Sequence, residues 1–168
     1  MDQIETIDNL MDMSFFKRFG FFFLLLTVIT GVAFIYLGKP IHGIDDANIF
    51  LKYAQNIVRG QGFVFNAGDE RVEGFTSLLW VLVCSAFYSV SDHPEVLLMF
   101  FLLLLTTFTI TIVYIEVKKD VDLLDSFYFK KYFFWLYSAF VACVAPSFIA
   151  WSVLSVMENG LWNFLFVS

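Results

Sequence analysis

FGFFFLLLTVITGVAFIYLG, residues Phe19 to Gly38, carries no charged side chain over its whole length. A helix rises about 1.5 Å per residue and a bilayer core is about 30 Å thick, so an uncharged run of about 20 residues reads as a membrane span. A cleavable signal peptide is the competing reading, but its apolar core is shorter, about 7 to 15 residues, and a small-residue cleavage site follows it. Here Lys39, Pro40 and Ile41 follow. Lys17 and Arg18 stand immediately before the span, and the positive-inside rule assigns that end to the cytoplasm. The expected organisation is a cytoplasmic segment 1–18, a first span 19–38, an exoplasmic loop 39–74, and further membrane helices over 75–168.

The composition agrees with that first span. Hydrophobic residues make up 60% and aromatic residues 20% of the chain, with Phe alone occurring 23 times, and the mean hydropathy is +0.77. A chain of 168 residues has too little interior to hide so much apolar surface, which leaves lipid to cover the rest. The net charge of -6, with only 10 Lys and Arg, argues against a nucleic-acid partner, because phosphate backbones are bound by basic groups. Cys84 and Cys143 both lie inside apolar runs, where a thiol behaves as a small hydrophobe, and no His or second Cys stands at metal-ligand spacing.

Further apolar runs are Phe75–Val90, Val96–Ile115, Tyr132–Val156 and one beginning at Leu161. The run from Phe75 is short for a crossing, whereas those from Val96 and Tyr132 are long enough. Between these two lies Glu116–Lys131, whose Lys118, Lys119, Lys130 and Lys131 mark a cytoplasmic loop. That placement requires Phe75–Val90 to dip in and return, or to lie along the interface. The Val96 run then descends and the Tyr132 run ascends. The last run reaches Ser168 after about eight residues, too few to cross at ~1.5 Å each, so the chain is expected to be the N-terminal part of a longer protein or a natural truncation. The expected fold is all-α and polytopic, with an interfacial helix in the exoplasmic loop.

The unusual polar residues concentrate in that loop, over Gly43–Ser77. Ala47, Phe50, Leu51, Ala54, Ile57 and Val58 fall on one face at helical spacing, with Asn48, Lys52, Gln55, Asn56 and Arg59 on the other, and Gly60 and Gly62 supply a stop. Such an amphipathic helix is expected to lie flat in the interface. Asp45 and Asp46 stand at its start, where the helix dipole favours negative charge. An ionised carboxylate there serves as a plain cap, as a general base or as a ligand for a divalent ion. Asn66-Ala67-Gly68-Asp69 reads as a turn, and Arg71, Glu73 and Thr76 follow at the mouth of the next run. Arg59, Arg71 and Lys52 either pair with a phosphate or with the local acids Asp69, Glu70 and Glu73. Glu158, between two apolar runs, is a second acid at a membrane edge. His42 and His93 read as surface residues. Trp80, Trp135, Trp151 and Trp162 read as edge anchors or packing residues.

Taken in order, DDANIFLKYAQNIVRGQGFVFNAGDERVEGFTSLLW, Asp45 to Trp80, resembles the first exoplasmic loop of bacterial polyprenyl-phosphate-sugar-dependent glycosyltransferases of the C superfamily, the mycobacterial terminal arabinofuranosyltransferase group in particular. That loop reads Asp-Asp-Ala-Phe-Ile, Arg-Tyr-Ala-Arg-Asn, Gly-x-Gly-Leu-Val-Phe-Asn and Glu-Arg-Val-Glu-Gly-Tyr-Thr. A second segment, WSVLSVMENGL from Trp151 to Leu161, is similar to the family's Trp-x-x-x-Ser-Gly-Leu-Glu-Thr-x-Leu, with Glu158 on the family's Glu. Departures are Val156 for Gly, Asn159 for Thr, Lys52 for Arg and Phe75 for Tyr.

The resemblance implies inverting transfer of a sugar from a polyprenyl-phosphate donor to a hydroxyl of an envelope glycan acceptor, outside the bacterial plasma membrane. Asp45 or Asp46 would be the general base and Glu158 a second catalytic acid. Lys52, Tyr53, Arg59, Asn66, Arg71, Glu73 and Thr76 would contact donor phosphate or substrate. Some superfamily members use a divalent metal and others do not; Asp45 and Asp46 would be its ligands. The alternative class is a non-catalytic multi-span protein, or an inactive remnant, in which the two aspartates only cap a helix.

Overall fold

A computed structural model of the chain describes residues 14–37, 47–68, 70, 74–124 and 126–168. All regular structure among these residues is helical. The helices are α1 (Phe15–Leu37), α2 (Ala47–Val58), α3 (Leu78–Tyr88), α4 (Glu95–Leu123), α5 (Phe127–Ile149) and α6 (Asn159–Val167), with a π-helical turn at Ala150–Leu154 before α6. Two of them, over Phe15–Tyr36 and Glu95–Leu123, are long and apolar enough to cross a membrane. Only 17% of the first is buried, and it leaves Leu24, Val28, Val32 and Ile35 exposed. A soluble core helix hides such side chains.

Helices α1, α4 and α5 form a bundle held by aromatic ring contacts. Phe19 lies 4.5 Å from Phe108 and Phe23 lies 6.2 Å from Phe100, so α1 and α4 run antiparallel. Tyr114 meets Phe133 at 5.4 Å, while the Tyr137 hydroxyl donates to the Ile110 carbonyl at 2.9 Å, so α5 runs antiparallel to α4. Phe22, fully buried, packs against Tyr114 and Tyr137 between the three helices. Such ring pairs add about 0.5–1.5 kcal/mol each beyond the area they bury. The start of α1 (Lys17, Arg18), the end of α4 (Lys118, Lys119) and the start of α5 (Lys130, Lys131) are thereby gathered at one end. There the Arg18 guanidinium sits 5.4 Å from the Tyr114 ring centre.

Three of the four threonines of α4 keep their hydroxyls satisfied inside this apolar setting. Thr107, Thr109 and Thr111 donate to the carbonyls of Leu103, Leu105 and Thr107, the i−4 back-bond available to a hydroxyl on a helix.

Three differences from the sequence reading have physical reasons. Helix α4 does not stop at Ile115; it runs eight residues on to Leu123. Lys119 pairs with Glu116 at 2.7 Å and Lys118 with Asp122 at 3.0 Å, the spacing at which opposite charges support a helix. The expected lysine-rich loop is therefore the tip of a helical hairpin, with positions 124–126 between α4 and α5. The apolar face of α2 is covered by α3, with Phe50, Leu51 and Ala54 packed on Trp80, Val81 and Cys84, so protein rather than lipid occupies that face. Asn56, assigned to the wet face, is 2% exposed. Its amide donates to the carbonyls of Val64 and Phe65, each at 2.8 Å, and so folds the following loop back on the helix.

Candidate functional site

Two segments far apart in sequence meet at Glu158. The first is Gly74–Trp80. The Ser77 hydroxyl accepts from the Trp80 amide at 3.3 Å and caps α3. Upstream of it, the Gly74 amide donates to the Tyr53 hydroxyl at 3.2 Å. A Cβ on Gly74 would stand 2.8 Å from that oxygen, so any larger residue there would have to displace the tip of the Tyr53 side chain. Tyr53 is 1% exposed, and its hydroxyl serves to hold the 74–77 segment against α2.

The second segment runs from the π turn into α6. Single π turns are rare and concentrate at functional positions. Beyond it Val156 takes φ +55°, a left-handed conformation that costs a β-branched residue about 1–2 kcal/mol. Gly160 follows in the first turn of α6, where a Cβ would lie 2.8 Å from Leu102 and 3.0 Å from the Ser152 carbonyl. The reversal at Val156 and the close seat of Gly160 fix Glu158, which immediately precedes α6.

The Thr76 hydroxyl donates to Glu158 Oε1 at 3.4 Å, across 82 positions of sequence. That is long for an O–H···O bond, whose usual separation is about 2.7–2.8 Å. The other carboxylate oxygen, Oε2, is buried and has no hydrogen-bond partner. Asn159 Nδ2 and Thr106 Oγ1 are buried and unpartnered as well, and Thr106 Oγ1 lies 3.6 Å from where a Gly160 Cβ would stand. Buried polar atoms without partners are uncommon and costly, at ~1–3 kcal/mol each. An acceptor, a donor and a hydroxyl therefore gather around the start of α6, each with bonding capacity to offer.

The influence of Glu158 reaches the core face of α3. Burial first, and the Glu158 carboxylate second, push the Cys84 thiol up. At the far end of α3, Tyr88 is also pushed up, first by burial and then by Glu95 and Cys84, with Arg59 opposing. Cys84 is buried, Cys143 exposed, and both are free.

Of the residues nominated from sequence, Glu158 and Thr76 are brought together. Arg59 and Asn66 are exposed on the segment after α2. Lys52 lines a pocket with Gln55, Asp92 and His93. Neither Lys52 nor Arg59 is ion-paired with Glu158. Asp45, Asp46, Arg71 and Glu73 lie outside the described residues, as does the segment 1–13; Asp46 immediately precedes the first residue of α2. Among the described residues no three His, Cys, Asp or Glu side chains gather as a metal site. Sequence reasoning passed over Asn159, Thr106 and Gly160. The polar triplet Glu158-Asn159-Gly160 between two apolar runs was a usable signal for the first and last, whereas Thr106 is one of several threonines in an apolar run and carries none. No protein-family model matches the chain, and neither a curated protein nor a solved structure matches it.

Proposed function

We propose that the chain acts in an integral membrane glycosyltransferase of the bacterial plasma membrane, moving a sugar from a polyprenyl-phosphate donor to an acceptor hydroxyl on the outer face. The observation that carries this reading is the meeting of Thr76 and Glu158. These residues belong to the two segments that resemble the glycosyltransferase motifs, and their contact leaves one Glu158 oxygen buried and unpaired. The left-handed backbone of Val156, where the motif carries glycine, supports it independently.

In this reading Asp45 or Asp46 removes the proton of the acceptor hydroxyl. The acceptor oxygen forms a bond to the anomeric carbon as the bond from that carbon to the donor phosphate breaks. The configuration inverts, the proton stays on the carboxylate, and polyprenyl phosphate leaves with the electron pair. Glu158 offers its free oxygen to a substrate hydroxyl.

The membrane arrangement is α1 out, α4 in and α5 out, with the basic residues of all three at the cytoplasmic end. Helix α3 has 11 residues, about 16 Å at ~1.5 Å each, well short of a ~30 Å core. Asp92 and His93, which follow it, line a pocket together with Lys52 and Gln55 of α2. That shared pocket supports a common exoplasmic side for the loop around α2 and the turn after α3, and the Thr76–Glu158 contact supports the return of α5 to that side.

The test is sugar transfer in membranes carrying the protein from its full reading frame, supplied with labelled polyprenyl-phosphate sugars. At least one of Asp45→Asn and Asp46→Asn is expected to cut turnover by roughly 10²–10⁴-fold, the contribution of a general base, with membrane insertion unchanged. Full activity in both variants would remove the general-base assignment.

A further inference from the structure

A pocket of about 410 Å³ lies between α2 and the turn that joins α3 to α4. Its volume is within the ~300–1,000 Å³ typical of small-molecule sites. Asn48, Lys52 and Gln55 project into it from α2, at the i, i+4 and i+7 spacing that puts them on one helical stripe. Asp92 joins them from the turn, and Phe65 and Tyr88 complete the aromatic part of the lining. Phe65 is 43% exposed, so aromatic surface is accessible in a pocket lined largely by polar groups. None of these residues serves the Thr76–Glu158 contact.

The chemistry of the walls selects the ligand. Lys52 carries a positive charge, but the Asp92 and Glu95 carboxylates line the same pocket and offset it, so the cavity has no strong field of either sign to hold a phosphate. No three His, Cys, Asp or Glu among the described residues gather to bind a metal. What remains is a mixture of the Asn48 and Gln55 amides and the His93 imidazole, which donate and accept, two carboxylates, which accept, and an ammonium, which donates. A neutral molecule dense in hydroxyls matches that mixture, because each hydroxyl offers one donor and two acceptor sites. Its C–H faces pack against aromatic rings, whose negative faces attract the weakly positive hydrogens. A sugar ring has both properties.

We propose that this pocket is a saccharide-binding subsite that holds the acceptor glycan. The acceptor role rests on the glycosyltransferase reading, whereas saccharide binding itself does not require it.

The test separates the two. The purified protein in lipid nanodiscs is titrated with the methyl glycosides of glucose, galactose, mannose and arabinose, and binding is read by saturation-transfer NMR, with glycerol as the non-sugar control. At least one glycoside should bind and glycerol should not, and Gln55→Ala with Asp92→Ala should weaken that binding at least tenfold. Tyr114→Phe, in the helical bundle, should leave it unchanged. In the turnover assay the same pair of alanine substitutions should raise KM for the acceptor at least fivefold, leaving kcat and the donor KM within twofold. Absence of binding by all four glycosides, or binding indifferent to the two substitutions, would overturn the subsite. Sugar binding that depends on Gln55 and Asp92, in a protein that turns over no donor, would uphold the subsite and refute the enzymatic reading. If the donor KM rises instead of the acceptor KM, the acceptor assignment fails.

Discussion

The aromatic bundle and the polar cap share α4 yet differ in how densely they gather unpaired polar atoms. In the bundle, Phe22, Tyr114, Phe133 and Val141 pack around hydroxyls that are mostly paired, with Tyr137 on Ile110 and three threonines on their own helix, Thr30 of α1 being left without a partner. In the cap, formed by α2, α3, the π turn and α6, the Glu158, Asn159, Thr106 and Trp80 side chains each hold a buried atom without a partner. The left-handed Val156 and the π turn lie there too. Strain and unmet hydrogen bonds persist only where the surrounding structure holds them, and they collect at working sites. On the proposed reading, the bundle orients the chain in lipid and the cap carries the chemistry.

That contrast breaks if polar substitutions in the two regions act alike. The largest expected effect is on turnover. Glu158→Gln, which keeps the shape and removes the charge, should lower sugar transfer by roughly 10²-fold or more, while Tyr114→Phe in the bundle should leave it within twofold. Equal losses would erase the distinction.

Next in size is Trp80→Ala. Trp80 is fully buried between α2 and α3, and emptying that space should cost about 3–5 kcal/mol, read by chemical unfolding in detergent. Hydrogen exchange should quicken in α2 and α3 while α1 and α5 keep their protection. Uniform loosening would show that cap and bundle are one cooperative unit.

Asn56→Leu strands the Val64 and Phe65 carbonyls and should cost roughly 1–3 kcal/mol. Its signature is local, a loss of amide protection over residues 62–66 with the bundle unaffected. The smallest effect is the most specific. Val156 is 4% exposed, so Val156→Ala loses burial while keeping the left-handed strain. Val156→Gly loses slightly more burial and relieves strain of about 1–2 kcal/mol. Glycine is therefore expected to be the more stable of the two by about 1 kcal/mol, the reverse of the order at an ordinary helical position. The usual order would show that position 156 is not left-handed in the folded protein.

Much of this architecture is legible in the residues. The uncharged run from Phe19 shows α1, and the spacing of Ala47, Phe50, Leu51 and Ala54 shows α2, because both depend on patterns that bilayer thickness and helical pitch impose. The length of α4 was hidden because an apolar run ends at its first charge, whereas a helix continues through paired charges such as Glu116–Lys119. Asn56 was hidden because polarity suggests solvent, and nothing local says that two carbonyls eight and nine residues away will use its amide. Within the site, Glu158 announces itself as an acid at a membrane edge, but its contact with Thr76 depends on how α4 and α5 return the chain, which no local pattern encodes.

Accessibility from outside the cell tests the placement of the cap most directly. Single cysteines at Asn66, His93 and Asp122, in a background without Cys84 and Cys143, are treated with a membrane-impermeant thiol reagent on intact cells. Labelling at positions 66 and 93 and protection at 122 is the expected result. Labelling at 122 together with protection at 93 would mean that α3 carries the chain across the bilayer, which would contradict a single exoplasmic cap around Glu158.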